Sequence, residues 1–363
     1  MVVADSRVRI AGVDLGKRTF QVHLTDEFGA PLAKHRLARD ELLAFFSTLP
    51  QVTVAMEACS GAHYWAAAMQ SQGHRALLLS PRAVAKLRTG PKNDANDAAL
   101  IAMAARLPEL RPVPWKSQEQ LAVLSMHRVR DFMRRQKVAT SNHVLGLLGE
   151  FGLLPFGNMA ALLRADDVTL GEALQPLPPS AREAIGTSVR SLHDLFREER
   201  AVDKAIRVWH SSNPASQRAA TVPGVGYLTA TAVAACFNGA AFTSGRQFAA
   251  SLGLVPIQYS TGGVQRLGHI GRGGDAYLRR LLVSAALGAM MRVSRDGSGP
   301  ACLVDLLKRK PRKVVACAHA NRLARTTWAV IASGGEFEAR TQWAPIAYVP
   351  PLRRRIRVAE GAE

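Results

Sequence analysis

The first hundred residues alternate between two kinds of hydrophobic pattern. Val8–Leu15 (VRIAGVDL) is short, apolar and rich in β-branched side chains, and Thr19–Asp26 (TFQVHLTD) alternates apolar with polar positions. Both patterns predict strands, joined by a turn at Gly16-Lys17. A third strand is expected over Pro31–Leu37, a helix over Asp40–Thr48 and a buried strand over Gln51–Ala58 (QVTVAMEA). Helix 62–71, strand Ala76–Ser80, helix 82–88 and helix 94–105 follow. Three antiparallel strands followed by alternating helices and parallel strands predict a mixed sheet with helices on both faces.

Residues 107–116 (LPELRPVPWK) are proline-rich and predict a boundary. From Ser117 to Gly149 there is no proline, and Leu121, Leu124, Val129, Phe132, Met133, Val138, Val144, Leu147 and Leu148 recur at helical spacing. That spacing predicts one helix more than ~30 Å long. Residues 150–180 are broken by Pro155, Gly157, Gly171 and three prolines between 176 and 179, after which a second long helix is expected from Ala181 to Trp209. The pair reads as a helical hairpin, serving as a spacer or as a dimerising or strand-spanning arm. Pro214 opens a region of mostly short helices and Gly-rich turns to about Gly335, and the chain ends in a tail with Arg353, Arg354, Arg355 and Arg357. The expected class is α/β plus α, with domains at 1–114, 115–213 and 214–335 and a basic tail at 336–363.

Charge adds a partner to this picture. The 363 residues hold 47 Lys and Arg against 28 Asp and Glu, a net of +19, which points to polyanions and above all to nucleic acid. The excess is uneven: 28 basic against 21 acidic side chains up to Thr243, and 19 against 7 after it. No apolar run is long enough for a membrane span, and the start of the chain lacks the pattern of a secretory signal. Cys59, Cys236, Cys302 and Cys317 are scattered with no CxxC pair, which argues against a disulfide framework or zinc ribbon and points to the cytosol.

Four acids stand out. Asp14 ends the first apolar strand and Glu57 ends the buried strand VAMEA; carboxylates there are costly unless compensated, and a divalent metal would compensate them. Asp94 and Asp97, in KNDANDAAL, share one face at a helix start, where the helix dipole favours negative charge. Singly, Asp94 reads as a helix cap and Asp14 as a turn cap. Together the four suit one or two Mg²⁺ ions. RNase H-like nucleases share this element order, which periodicity alone does not separate from other mixed α/β folds.

Two loops carry phosphate chemistry. Thr221-Val222-Pro223-Gly224-Val225-Gly226 lies between helical stretches like a helix-hairpin-helix turn, whose backbone N–H groups at Gly224 and Gly226 would meet a phosphate. A tight turn between packed helices fits the same residues. Further on, Ser260-Thr261-Gly262-Gly263 supplies two hydroxyls, followed by Arg266, His269, Arg272, Arg279 and Arg280 with only Asp275 opposing them. Guanidiniums and amides would hold non-bridging oxygens while a hydroxyl hydrogen-bonds or attacks. On composition alone, a surface turn with solvent-facing arginines is the better reading.

The set GVDLGK, VAMEACSGAHYW, KNDANDAALIA, TVPGVGYLTA, FAASLGLVPIQYSTGG and GHIGRGGDAYLRRLL, running from about residue 8 to 290, resembles the DEDD transposases of insertion sequences, relatives of the Piv-type DNA invertases. The resemblance implies a RuvC-like, RNase H-fold N-terminal domain, a coiled-coil arm and a mainly helical C-terminal transposase domain. It implies that Asp14, Glu57, Asp94 and Asp97 bind Mg²⁺ and that a serine of the C-terminal loop attacks DNA, forming a phosphoserine link. It further implies double-stranded DNA at element ends and target, a structured non-coding guide RNA, and a homo-oligomer, dimer or tetramer, with active sites drawn from different subunits. Such a protein is expected in the cytoplasm, on the nucleoid. Counting from Pro256 would place Thr261 at the nucleophile position, whereas the Ser-Thr-Gly-Gly form of the loop assigns Ser260. A Mg²⁺-dependent junction-resolving nuclease would need the acids but not Ser260, and a non-catalytic nucleic-acid-binding protein would need neither.

Overall fold

The β-branched runs at the start of the chain pair into one five-stranded sheet of order β3-β2-β1-β4-β5. The computed structural model describes residues 5–88, 94–153, 157–239, 241–259, 267–271, 273–296, 298–338 and 345–347. It divides into two units, residues 1–121 with 238–241, and 122–237 with 242–363.

In the first unit β1 (Ile10–Leu15), β2 (Thr19–Thr25) and β3 (Pro31–Ala38) form an antiparallel meander, and α1 (Glu41–Ser47) leads to β4 (Thr53–Glu57). Then α2 (Ala62–Ser71), β5 (Arg75–Leu79), α3 (Pro81–Ala85) and α4 (Asp94–Ala104) alternate, with β1, β4 and β5 parallel. The predicted order is found throughout, and helix 62–71 has the expected bounds. Alternation along the strands separates two cores. Val13, Val54 and Met56 pack with Leu42, Phe46, Trp65 and Met69 on the α1/α2 face, while Ala55 packs with Leu79, Val84, Ile101 and Ala104 on the α4 face.

Two backbone contacts set the shape of this unit. A Cβ built on Gly12 would lie 2.2 Å from the Ala98 carbonyl oxygen and 2.5 Å from the Ala102 nitrogen, so α4 rests directly on the β1 backbone. The proline-rich stretch lies back along the sheet: Val113 N–H donates to the Leu78 carbonyl oxygen at 2.7 Å, one bridge on the β5 edge. Pro112 and Pro114 on either side have no N–H to lengthen it.

In the second unit α5 (Gln118–Glu150) and α8 (Pro179–Ser212) are the two long helices, with α6 (Met159–Leu162) and α7 (Asp167–Leu174) between them. Val144, Leu148, Leu162, Leu170, Ile185 and Leu192 form the core at that end. The apolar set expected to define α5 divides in two: Leu124, Val144 and Leu148 are buried, whereas Val129, Phe132 and Val138 are exposed. Beyond α8 come α9 (Pro214–Ala220), α10 (Tyr227–Cys236), α11 (Gly245–Ser251), β6 (Pro256–Gln258), β7 (Leu267–Ile270), α12 (Ala276–Asp296), β8 (Ser298–Pro300), α13 (Ala301–Arg309), α14 (Arg312–Ser333) and β9 (Pro345–Ala347). Here the expectation of mostly short helices needs correction. α12 and α14 run for 21 and 22 residues, and their Ala-rich faces pack with α9, α10 and α11 around Phe248, Leu282 and Leu323.

Two glycine substitutions should move stability in opposite directions. Gly12→Ala forces a side-chain carbon into α4 and is expected to destabilise the protein by about 3 kcal/mol. Gly146→Ala, exposed within α5 with open space around its Cα, should stabilise it by about 0.5–1 kcal/mol. Urea denaturation of both variants checks the pair.

Candidate active site

Parallel pairing places the first two acids side by side. β1 and β4 pair from Ile10 with Thr53 to Val13 with Met56, and the next residue on each strand is Asp14 and Glu57. Two residues before them, Gly12 and Ala55 face α4, so alternation puts both half-buried carboxylates on that same face. Asp97 follows in the opening turns of α4, next to the Ala98 whose carbonyl abuts Gly12. Its carboxylate accepts a hydrogen bond from Arg88 Nη2 at 2.7 Å, in a pair largely screened from solvent. Asp94 opens α4, and its side chain lies outside the described residues. Among the described residues no three His, Cys, Asp or Glu side chains gather closely enough to hold a metal ion. The donor chemistry of the set, oxygen from carboxylates only, still suits a hard divalent cation such as Mg²⁺.

Cys59 reports on this corner. Burial, and then the charges of Glu57 and Asp14, push its thiol above the ordinary range, against the lowering effect of its backbone hydrogen bond. Two carboxylates are therefore near enough to make a third anion unfavourable. Arg88 carries no motif signal in the sequence; its place beside Asp97 follows only from the fold.

The second unit holds the remaining candidates. Gly224 adopts φ +93°, which favours glycine, and a Cβ there would meet α12 at Ala285 and Ala289 at 3.8 Å. Gly226 caps α10 at φ −82° with open space beside it. β6 and β7 pair antiparallel as an exposed ribbon on either side of residues 260–266. Ser260, Thr261, Arg266 and Arg272 lie outside the described residues. Arg279 donates from Nη1 to the carbonyl oxygens of Leu252 at 2.7 Å and Gly273 at 2.6 Å, tying together the two loops that flank the ribbon. Arg280 pairs with Asp131 of α5 and lies 5.2 Å from the Tyr277 ring centroid, yet stays about half exposed.

Deeper in this unit His127 bridges α5, α10 and α12, with its ring nitrogens 2.9 Å from the Tyr277 and Thr231 hydroxyls. Burial, reinforced by the charge of Arg130, lowers His127 to about 4, and burial raises Tyr277 to about 12. Burial together with Arg322 also lowers His319, on α14, to about 4.

A five-stranded mixed sheet in this order, with acids at the ends of its two central parallel strands, is consistent with a RuvC-like domain. Residues 11–152 match a family model described as transposase, and residues 216–298 match the family described as "Transposase IS116/IS110/IS902 family". A "Probable family 20 transposase" of Pseudomonas aeruginosa is 42% identical over 325 residues, covering 88% of this chain and 96% of its own. The "Transposase for insertion sequence element IS1328" of Yersinia enterocolitica is 36% identical, covering 91% and 98%. That for IS1111A of Coxiella burnetii is 31% identical, covering 89% and 90%. The chain belongs to the IS116/IS110/IS902 family of insertion-sequence transposases, enzymes that act on DNA. Among the described residues no helix is long and apolar enough to cross a membrane.

Two measurements follow from these environments. Replacing Glu57 or Asp14 by the amide should lower the Cys59 pKa, so that iodoacetamide labels Cys59 faster at pH 8 than in the wild type; unchanged labelling would separate the thiol from the acids. For His127 and His319 the folded pKa lies below the unfolded value near 6.5. Their contribution is therefore intact above about pH 6.5 and is lost as pH falls towards 4, by at most about 1.4 kcal/mol per pH unit for each. Urea midpoints at pH 7 and pH 5 measure this loss, which should be smaller in His127→Asn.

Proposed function

We propose that this transposase cuts and rejoins DNA through a serine-linked intermediate, with the acids of the mixed sheet as its metal-binding half. The observation that carries the reading is the register of β1 and β4, which brings Asp14 and Glu57 to one edge of the face covered by α4, the helix that holds Asp94 and Asp97. Burial is the main cause of the raised Cys59 thiol and the charges of Glu57 and Asp14 add to it, as expected where two carboxylates share a corner. Asp14, Glu57, Asp94 and Asp97 would hold Mg²⁺, with Asp97 exchanging Arg88 for the metal. When bound, the metal supplies positive charge at the scissile phosphate.

In this reading Ser260 Oγ attacks phosphorus and loses its proton. The bond to the 3′-oxygen breaks, leaving a 3′-hydroxyl and a 5′-phosphoserine. A 3′-hydroxyl from the partner strand then attacks the phosphoserine, restoring a phosphodiester and releasing Ser260. Arg266 and Arg272 would hold the non-bridging oxygens as charge grows on them. Arg279 would act one step back, by fixing the loops around the ribbon. A structured non-coding RNA pairing with donor and target would supply sequence, and the basic C-terminal third would hold backbones. The protein would work as a homo-oligomer on nucleoid DNA in the cytoplasm, with residues 115–213 as its arm and 214–335 as the serine-bearing domain.

Denaturing electrophoresis after incubation with element-end DNA tests the reading. Wild type should yield a protein–DNA adduct, and Ser260→Ala and Asp14→Ala should abolish it. An adduct that persists in Ser260→Ala and disappears in Thr261→Val moves the nucleophile to Thr261. Hydrolysed ends with no adduct would establish a metal-dependent nuclease instead.

A further inference from the structure

α8 carries Arg190, Arg197, Arg200, Lys204 and Arg207, all exposed, at spacings of three, four or seven residues that place them along one flank beside the buried stripe of Ile185, Val189, Leu192 and Ile206. The stripe spans ~25 Å at the α-helical rise, about the rise of seven base pairs in a B-form duplex. It borders a groove of about 820 Å³ that Arg130 and Lys137 of α5 also line.

The acids of this groove are already engaged. Glu199, buried, pairs with Lys137 and lies 3.9 Å from Arg130. Asp203 accepts from Arg130 at 2.7 Å, from Arg207 at 3.1 Å and from the Tyr227 hydroxyl at 2.7 Å. Although burial opposes it, these hydrogen bonds hold the Asp203 carboxyl below its ordinary value, so it remains an anion committed to the protein. Among the described residues, Arg190, Arg200 and Lys204 have no carboxylate within ion-pair distance. Arg190 donates only to Thr187 Oγ1, and Arg200 lies 5.5 Å over the Phe196 ring. Arg197 pairs with Asp194 at 2.7 Å, but both side chains are well exposed, and such pairs are weak. The outer row thus presents Arg190, Arg197, Arg200 and Lys204 on one flank of a rigid helix, anchored from beneath by Glu199 and Asp203, while the exposed acids Asp194 and Glu198 fall on the neighbouring flank.

We propose that this stripe of α8 is a sequence-independent contact for the phosphate backbone of duplex DNA. Single strands and RNA loops are commonly held by exposed aromatic platforms on which bases stack. The groove's two aromatic side chains, Phe196 and Tyr227, are both partly buried and already lie under cations, Phe196 under Lys137 and Arg200 and Tyr227 under Arg207 at 3.8 Å. Cations without such a platform position a duplex and read no bases. The inference rests on the protein acting on DNA, and on neither Ser260 nor the sheet acids.

The test is the salt dependence of binding by the full chain to a DNA duplex of unrelated sequence, followed by anisotropy. Each phosphate contact contributes about 0.9 to the slope of log affinity against log salt. Arg190→Gln, Arg197→Gln, Arg200→Gln and Lys204→Gln combined should therefore make the slope shallower by about 3.6. Between about 50 and 200 mM salt the wild type should lose affinity about 150-fold more steeply than this variant. Arg190→Lys, Arg197→Lys and Arg200→Lys combined keep the charge and should keep the slope. Single Arg200→Gln and Lys204→Gln variants, each expected to lower the slope by about 0.9, carry the test if the fourfold variant does not fold. If the wild type binds DNA and the Gln variants keep its slope, the stripe alone is overturned, as it is if they lose slope only with an RNA duplex. A wild type with no salt-dependent DNA binding overturns the DNA-acting reading itself.

Discussion

The first unit depends on a helix lying against bare backbone. At Gly12 the Ala98 carbonyl occupies the space that any side chain would need, and this approach decides how near the opening turns of α4 come to the end of β1. A larger residue would lift the helix, and Asp97 with it, away from the face that bears Asp14 and Glu57. Those acids share an edge only because β1 and β4 run parallel in register, so pairing and packing act on the same corner. Arg88 then balances part of the negative charge gathered there, through Asp97.

The second unit solves a different problem, that of keeping two long helices in a fixed relation where apolar contact thins out. The middle of α5 leaves Val129, Phe132 and Val138 exposed, and the grip on α8 there comes from Lys137 and Arg130 closing on Glu199 and Asp203. Removing one member would leave its partner charged and poorly solvated, which costs more than the pair contributes. Register between the helices is therefore set by charge, and the outward-facing cations of α8 inherit a defined line.

Much of the first unit was legible because strand alternation and helical periodicity report burial directly. TFQVHLTD became β2, and AHYWAAAMQS became α2. The acids at the ends of GVDL and VAME were visible for the same reason: polar groups closing apolar strands are rare. What stayed hidden depends on residues that meet only in three dimensions. Arg88 and Asp97, nine residues apart, meet only in the fold, and His127, in the run that predicts α5, bridges three helices without any signal in the periodicity. Gly288 and Arg292 lie inside α12 and Arg322 inside α14, where they interrupt the apolar pattern without ending the helix. Gly288 has open space around its Cα, so the helix passes through it. Arg279 and Arg280 looked alike as sequence, yet one is tied to loop carbonyls and the other reaches Asp131.

The single bridge at Val113 has a consequence for assembly. An open strand edge is a template for another strand, and β5 would offer one. Val113 occupies that template with one hydrogen bond, while the flanking prolines present no amide protons to an incoming chain. The sheet is thus capped at this end by its own outgoing segment. A strand arriving at this edge would first have to displace Val113 from Leu78.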